Sequence, residues 1–213
     1  MNYTMKKFSL VLSVAALLFI GLTAEQKEIT TLAIGADMPG KDLELTRTDE
    51  NKTTLADFKK EMGTLVIFSC NTCPFVIGSD NFEGWEKSYN DIQTVAKLNK
   101  VGSVLVNSNT AKRDKGDNLA DMKKRAEDKG YLMDYVLDKR SRLADEFGAK
   151  TTPHVFLFDA DDKLVYEGQI NDAYKPNNKK VKEYLKDALN ALGAGKKIKD
   201  SKTDAVGCGI KRK

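Results

Sequence analysis

The sequence predicts an α/β domain with a mixed central sheet flanked by helices, an N-terminal hairpin and a C-terminal tail. Short apolar runs typical of buried strands alternate with longer segments that repeat apolar residues at helical spacing. Two cysteines, Cys70 and Cys73, stand between one such strand and the helical pattern that begins at Pro74. The 213 residues are enough for one ordinary domain with a substantial core.

The first 24 residues are interpreted as a signal peptide rather than as part of the fold. Lys6 and Lys7 precede an uncharged apolar run over residues 8–24, which ends in the small residue Ala24. A retained N-terminal anchor is the alternative, because the run approaches the length that spans a membrane. We therefore predict a signal peptide at 1–24 and a folded domain at 25–213. The protein is expected to be secreted or periplasmic, and to be tethered to a membrane only if the leader is not cleaved.

The first elements after the leader are a hairpin, a short helix and a buried strand. Two apolar stretches flank the turn sequence at residues 48–51, which predicts the hairpin. Residues 56–62 predict a short helix that Gly63 ends. The apolar run at 65–69 predicts the strand that leads to the two cysteines.

Helices and strands then alternate to the end of the domain. Apolar residues at spacings of three and four predict a helix with one buried face, formed by Phe82, Trp85, Tyr89, Ile92 and Ala96. The remaining expected elements are strands at 101–106, 135–137, 154–158 and 164–167, and helices at 119–129, 141–147 and 181–192. This order predicts a parallel core with helices on both faces, to which a terminal hairpin adds an antiparallel edge.

Charge and cysteine content narrow the function. Residues 175–213 carry 12 Lys or Arg against 4 Asp or Glu, and residues 194–213 are expected to form an extended basic tail. Interleaved aromatic residues are missing there, so the basic region does not favour nucleic-acid binding.

Cys70, Cys73 and Cys208 are the only cysteines, too few for a fold held together by disulfides. The small number of cysteines therefore favours a functional role for them over a role in structural disulfides.

The Cys70-Asn71-Thr72-Cys73 motif is the strongest functional signal. A thiol at the start of a helix has a lowered pKa, because unpaired N–H groups there carry partial positive charge. Two intervening residues suit a reversible disulfide. A structural disulfide and half of a zinc site are the alternatives, and the lack of a second such motif weakens the zinc interpretation.

The chain resembles the thioredoxin-like superfamily, and more closely its redoxin or peroxiredoxin-like, AhpC/TSA-related members with a C-x-x-C site. The segments that carry this resemblance are residues 70–76, 106–109, 148–153 and 207–211. It implies a cis peptide at Thr152-Pro153 beside the cysteines, with the backbone of Thr152 free to pair with an extended substrate. Ser69 and the Asn71-Thr72 pair depart from the thioredoxin pattern, so a reduction potential cannot be transferred.

The leading hypothesis is a secreted thiol–disulfide oxidoreductase with antioxidant activity. Cys70, expected to be the more exposed thiol, attacks a substrate disulfide, and Cys73 resolves the mixed disulfide. Thr152 and Pro153 complete the expected catalytic site. The partners are protein or small-molecule thiols and disulfides and an upstream electron donor; no cofactor and no nucleic acid are expected. Cys208 is either a free tail thiol or a third redox partner, if the tail folds back.

Two alternative functions stay open. A peroxiredoxin-like peroxidase needs a cation and a hydroxyl beside its thiolate, for which Thr72, Arg140 and Arg142 are the candidates. A copper- or zinc-binding protein would use Cys70 and Cys73 with His154, the single histidine. Side chains alternate along a strand, and this favours a His154 that faces away from the cysteines.

Overall fold

The structure, a computed structural model, describes residues 29–213, so the proposed signal peptide at 1–24 lies outside the described residues. The strands are β1 (Leu45–Arg47), β2 (Lys52–Thr53), β3 (Gly63–Ser69), β4 (Val101–Asn107), β5 (Asp134–Leu137), β6 (Thr151–Thr152), β7 (His154–Phe158), β8 (Leu164–Gly168) and β9 (Cys208–Gly209). The helices are α1 (Pro74–Ile77), α2 (Tyr89–Leu98), α3 (Leu119–Lys129), α4 (Arg142–Phe147) and α5 (Tyr184–Gly193).

Seven of the strands form one mixed sheet in the order β2-β1-β5-β4-β3-β7-β8. Strands β3, β4 and β5 are parallel, whereas β7 runs antiparallel to β3 and β1 runs antiparallel to β5. This arrangement confirms the predicted fold class. Every residue of β3 and β4 is buried, because these central strands are covered on both faces.

The sheet separates two apolar clusters, and the cysteines belong to one of them. Successive side chains of β3 point to opposite faces, so Leu65 and Ile67 join one cluster and Val66 and Phe68 join the other. The first cluster also contains Cys70 and Cys73 and packs against α2 and α5. The redox motif is therefore attached to the core.

Helices α2 and α3 follow the sequence pattern closely. The stripe predicted from residue 82 onward buries Trp85, Tyr89, Ile92 and Ala96, of which Trp85 lies in a 3-10 turn before α2. Helix α3 begins at a capping box and ends at Gly130, which adopts the left-handed conformation.

Helix α1 has four residues and ends at Gly78, whose φ of 102° is unsuited to a helix, and the sequence pattern that begins at Pro74 is likewise interrupted at residues 78–84. Two other helices differ from the sequence prediction. The short helix expected at 56–62 is a 3-10 turn over Ala56–Phe58. Helix α5 begins at Tyr184, so Val181 lies before it and is 38% exposed.

The C-terminal tail folds back onto the domain instead of extending away from it. The Glu167 N–H donates to the Ser201 carbonyl at 2.9 Å, and the Thr203 N–H donates to the Glu167 carbonyl at 3.0 Å. Further on, β9 pairs with β6 in a separate two-stranded sheet. The expectation of an extended tail over 194–213 is therefore wrong, because the tail backbone finds partners on β8 and β6.

Within residues 29–213, no helix combines the length and the apolar character needed to cross a bilayer.

Candidate redox site

The two cysteines of the motif flank the turn from strand β3 to helix α1. Cys70 follows Ser69, the last residue of β3, and Cys73 is the residue that caps the start of α1. Both side chains are almost fully buried, and no disulfide joins either of them to another cysteine. The structure therefore represents the reduced dithiol.

Thr152 contacts both sulfur atoms. The Cys70 thiol lies 3.1 Å from the Thr152 hydroxyl, and the Cys73 thiol donates to the Thr152 carbonyl oxygen at 3.1 Å. The Thr152-Pro153 peptide bond is cis, as the family resemblance implies. Four residues that the sequence singled out are thus brought together at one place.

The tail strand β9 occupies the edge that was expected to receive a substrate. Thr152 lies opposite Cys208, and Thr151 lies opposite Gly209, in the antiparallel β6–β9 pair. The expectation of a free Thr152 backbone is therefore wrong in this structure, because the protein's own chain supplies the added strand. A Cβ atom at Gly207 would clash with the Thr152 carbonyl oxygen, so this close approach requires glycine.

The three thiols have very different affinities for a proton. Interaction with the Cys70 thiol, and secondarily with the thiol and backbone N–H of Cys208, lowers the pKa of Cys73 to about 5. The same contact with Cys73, together with burial, raises the pKa of Cys70 well above its usual value. Burial followed by the contact with Cys73 raises the pKa of Cys208 to about 11. Of the three thiols, Cys73 therefore loses its proton most readily.

The two cysteines do not differ in exposure as expected from the sequence. Cys70 is not the more exposed thiol, since it is 1% exposed and Cys73 is 2% exposed. Cys73 stands at the helix start, and it receives the thiol contacts that stabilise a thiolate. A helix of four residues has little dipole of its own. Neighbouring thiols, rather than the helix, therefore account for the low pKa.

Asp117 organises the loop between the cysteines, and sequence reasoning missed it. One carboxylate oxygen accepts from the Asn71 backbone N–H at 2.7 Å and from the Asn107 amide at 2.8 Å. The other accepts from the Thr72 hydroxyl at 2.8 Å and from the Asn109 amide at 3.1 Å. Asp117 is fully buried, and its charge further raises the pKa of Cys70.

The order of the parallel strands is the signal from which this cluster could have been predicted. Asn107 ends β4, and Ser69 ends β3, its parallel neighbour, so the loops that follow both strands meet at one edge of the sheet. Arg113, from the loop after β4, donates to the Asn107 side chain at 2.7 Å and to the Asp117 carbonyl at 2.6 Å. Its guanidinium is therefore engaged in supporting the loop.

The residues proposed to stabilise a peroxidatic thiolate are not available for that role. Arg140 and Arg142 are exposed, at the start of α4. Thr72 uses its hydroxyl to bind Asp117. Of the charged side chains, Asp117 acts most strongly on Cys70, and its sign is negative.

His154 is not brought to the cysteines. Its ring accepts from the Lys150 backbone N–H at 3.1 Å and lies 2.6 Å from the Glu167 carboxylate, so both ring nitrogens are engaged. The His154 ring packs in a tilted arrangement against Phe156, which belongs to the cluster on the other face of the sheet from Cys70 and Cys73. Among the residues the structure describes, no three His, Cys, Asp or Glu side chains are arranged to hold a metal ion.

Comparison with known proteins gives a family model and several solved structures. The model described as Redoxin matches residues 33–185. An uncharacterized conserved protein from Geobacillus kaustophilus is 31% identical, with a TM-score of 0.76, and the match covers 86% of this chain and 94% of that one. A hypothetical protein from Sinorhizobium meliloti is 28% identical, with a TM-score of 0.75, covering 86% and 97% of the two chains.

A more distant structure shares the fold. PrxQ from Xylella fastidiosa is 14% identical, with a TM-score of 0.53, and the match covers 78% of this chain and 98% of that one. The search of curated proteins found no match.

Proposed function

The chain belongs to the redoxin family, and on that premise we propose that it is a thiol–disulfide oxidoreductase whose redox centre is the Cys70–Cys73 pair. The family places it among thiol redox proteins. One observation carries the finer assignment: both thiols contact Thr152, at 3.1 Å each, and their pKa values are displaced in opposite directions. A thiolate beside a protonated partner thiol is the arrangement that disulfide exchange needs.

The reaction starts from the Cys73 thiolate. It attacks one sulfur of a substrate disulfide, forms a mixed disulfide and releases the other substrate sulfur as a thiolate. The Cys70 thiol then gives its proton to that leaving thiolate and attacks the Cys73 sulfur. The Cys70–Cys73 bond forms, the second substrate thiolate leaves, and two electrons have passed from the protein to the substrate.

Exchange is favoured over peroxide reduction by the charges around the thiols. A peroxidatic thiolate is stabilised by a nearby cation, whereas the side chains that most lower the pKa of Cys73 are the neutral Cys70 and Cys208 thiols and the Thr152 hydroxyl. Arg140, in the turn before α4, and Arg142, at its start, are both exposed and do not serve this role. A rate constant for hydrogen peroxide typical of a free thiol is the expected result, and rapid consumption would favour the peroxidase.

The test of the proposed function uses a Cys208→Ser background, which leaves only the two motif cysteines. Oxidised glutathione should convert this variant reversibly into a form with a Cys70–Cys73 disulfide, and the variant should catalyse insulin reduction by dithiothreitol. Adding Cys70→Ser or Cys73→Ser should abolish that catalysis. A pair that forms no disulfide, or a double variant with full activity, would exclude the proposal.

The same variants decide which sulfur attacks. With Cys70→Ser, the serine hydroxyl can still donate to the Cys73 sulfur in place of the Cys70 thiol, the contact that lowers the Cys73 pKa most, so Cys73 should form a glutathione adduct at pH 7. With Cys73→Ser, the remaining Cys70 should react more slowly than that, because burial and the Asp117 carboxylate still raise its pKa. The opposite order would restore the roles predicted from the sequence.

The proposal includes export from the cytoplasm. The supporting observation is the leader pattern of Lys6, Lys7 and the apolar run at 8–24. N-terminal sequencing of the mature protein tests it, and a chain that begins at or near residue 25 is expected. A mature chain that keeps residues 1–24 in a membrane fraction would indicate an anchor instead.

A further inference from the structure

A third thiol lies at the redox site, supplied by the tail. Cys208 is in β9, directly opposite Thr152 of β6. The Cys73 sulfur lies 3.1 Å from the carbonyl oxygen of the same Thr152. Cys73 and Cys208 therefore approach one residue, Cys73 from the motif loop and Cys208 from the added strand.

The surroundings of the two sulfurs indicate that they face each other. The Cys208 thiol and its backbone N–H both act on the Cys73 sulfur. In return, Cys73 acts on the Cys208 sulfur, as does the Phe75 backbone N–H in the first turn of α1. The Cys208 side chain therefore points toward the motif and not away from it.

The tail is held in this position by contacts on both sides of β9. After β9, the Ile210 N–H donates to the Lys150 carbonyl at 2.9 Å, and the Ile210 side chain is buried. The Lys211 N–H donates to the Asn109 side chain at 2.9 Å, and Arg212 pairs with Asp145 at 2.6 Å. Before β9, the pairing of residues 201–203 with β8 fixes the approach. These contacts hold Cys208 beside the site, whereas an unrestrained tail thiol would meet it only by diffusion.

The three thiols differ in their access to solvent. Cys70 and Cys73 are 1% and 2% exposed, whereas Cys208 is partly exposed. In this conformation Cys208 is therefore the thiol of the three that is most accessible to an external dithiol.

We propose that Cys208 forms a disulfide with Cys73 and is the sulfur at which an external dithiol reduces the site. This inference rests on the proposed function and adds a second partner for Cys73. After substrate attack, the Cys208 thiol passes its proton to the departing thiolate, and its sulfur attacks Cys73. The Cys73–Cys208 bond forms and the bond from Cys73 to the substrate breaks.

Reduction then proceeds from the exposed side. One thiolate of an external dithiol attacks the Cys208 sulfur, and Cys73 leaves as a thiolate. Cys73 is a good leaving group because its pKa is low. The second thiol of the donor displaces Cys208, which takes up a proton, and the donor is left as a disulfide. Two electrons enter the protein, and the reduced cluster is restored.

Peptide mapping separates this disulfide from the Cys70–Cys73 disulfide. Cleavage after Lys and Arg places Cys70 and Cys73 together in residues 61–87 and places Cys208 in residues 203–211. A Cys73–Cys208 bond therefore links two peptides, whereas a Cys70–Cys73 bond stays within one. The native full-length protein is oxidised with glutathione disulfide, alkylated and digested without reduction.

The linked peptides should appear in the wild type and accumulate in Cys70→Ala, where Cys73 has only Cys208 as a partner. Cys73→Ala is the matched control, and it should give no link between Cys70 and Cys208. Absence of the link in both the wild type and Cys70→Ala would overturn the proposal, as would an equal yield in Cys73→Ala. The wild-type digest keeps the test valid if a variant folds poorly.

The experiments distinguish a failure of the Cys208 proposal from a failure of the proposed function. A reversible disulfide within residues 61–87 but no linked peptides would refute only the role of Cys208. Failure of the Cys208→Ser variant to form the Cys70–Cys73 disulfide would refute the proposed function itself. A second measurement follows reduction of the oxidised proteins by dithiothreitol. The Cys208→Ser variant should be reduced more slowly than the wild type, and equal rates would refute the entry of electrons at Cys208.

Discussion

Asp117→Asn tests whether one buried carboxylate holds the motif loop in place. The substitution preserves size and replaces one carboxylate oxygen with an NH2 group, which donates instead of accepting. If this group replaces the oxygen that faces Thr72 and Asn109, the Thr72 hydroxyl can turn and accept from it, but the Asn109 amide loses its acceptor. Asn71 and Asn107 keep an acceptor that no longer carries a charge.

The free energy of unfolding should fall by about 3 kcal/mol. A buried donor without a partner costs about 1–3 kcal/mol, and hydrogen bonds to a charged group contribute about 1.5–3 kcal/mol each, more than neutral ones. With a urea m-value of about 2 kcal/mol/M, the loss corresponds to a midpoint lower by about 1.5 M. The assay is urea unfolding of the reduced protein, followed by circular dichroism.

Asp114→Asn provides the matched control. Asp114 lies in the same loop but is exposed. Its substitution should change the stability by less than about 0.5 kcal/mol. A midpoint for Asp117→Asn that equals that of Asp114→Asn would refute the role assigned to Asp117. The Asp117 variant should also lower the pKa of Cys70, because the charge that raises it is removed.

Three other substitutions test separate parts of the site. Cys70→Ala should raise the pKa of Cys73 above about 5, because the largest stabilising contact is lost; the thiolate absorbance at 240 nm should then disappear at a higher pH, and an unchanged titration would contradict this. Gly207→Ala should speed alkylation of Cys73 in the native protein, because the added Cβ clashes with the carbonyl beneath the tail, whereas Gly209→Ala meets no close contact and should not. Equal rates in these two glycine variants would mean that the tail does not control access. Burial lowers the pKa of His154 in the folded protein. Below about pH 6.5 the unfolded chain therefore binds a proton at this residue that the folded protein does not bind. The free energy of unfolding should fall as the pH drops through that value. In His154→Gln this loss between pH 7.5 and 5.5 should be smaller, with redox activity retained, and an identical urea profile at both pH values would contradict it.

Most of the architecture followed from local patterns in the sequence. The runs at 65–69 and 101–106 are apolar without interruption because both become central strands buried on two faces. The stripe from Trp85 to Ala96 marks a helix face because its spacing matches the helical repeat. Errors occurred at helix boundaries: the helix expected at 56–62 is a 3-10 turn over Ala56–Phe58, and α5 begins at Tyr184 instead of Val181.

The tail shows where local reasoning fails. Residues 194–213 are polar and basic, a composition that by itself predicts a solvated segment. Their backbone nevertheless pairs with β8 and β6, because those edges expose unpaired N–H and C=O groups. Pairing of this kind depends on partners far away in the sequence, and composition does not reveal it.

The sequence alone determined that Cys70 and Cys73 stand between a buried strand and a helix start, with Thr152-Pro153 before a later strand. That much depends on apolar runs and short spacings, which are local properties. Only the tertiary structure decided that Cys73 has the lowest pKa of the three thiols, that Asp117 supports the loop and that Cys208 joins the site. Each of these depends on the environment of a side chain, since a thiol's pKa is set by burial and by neighbours that the fold brings from distant parts of the chain.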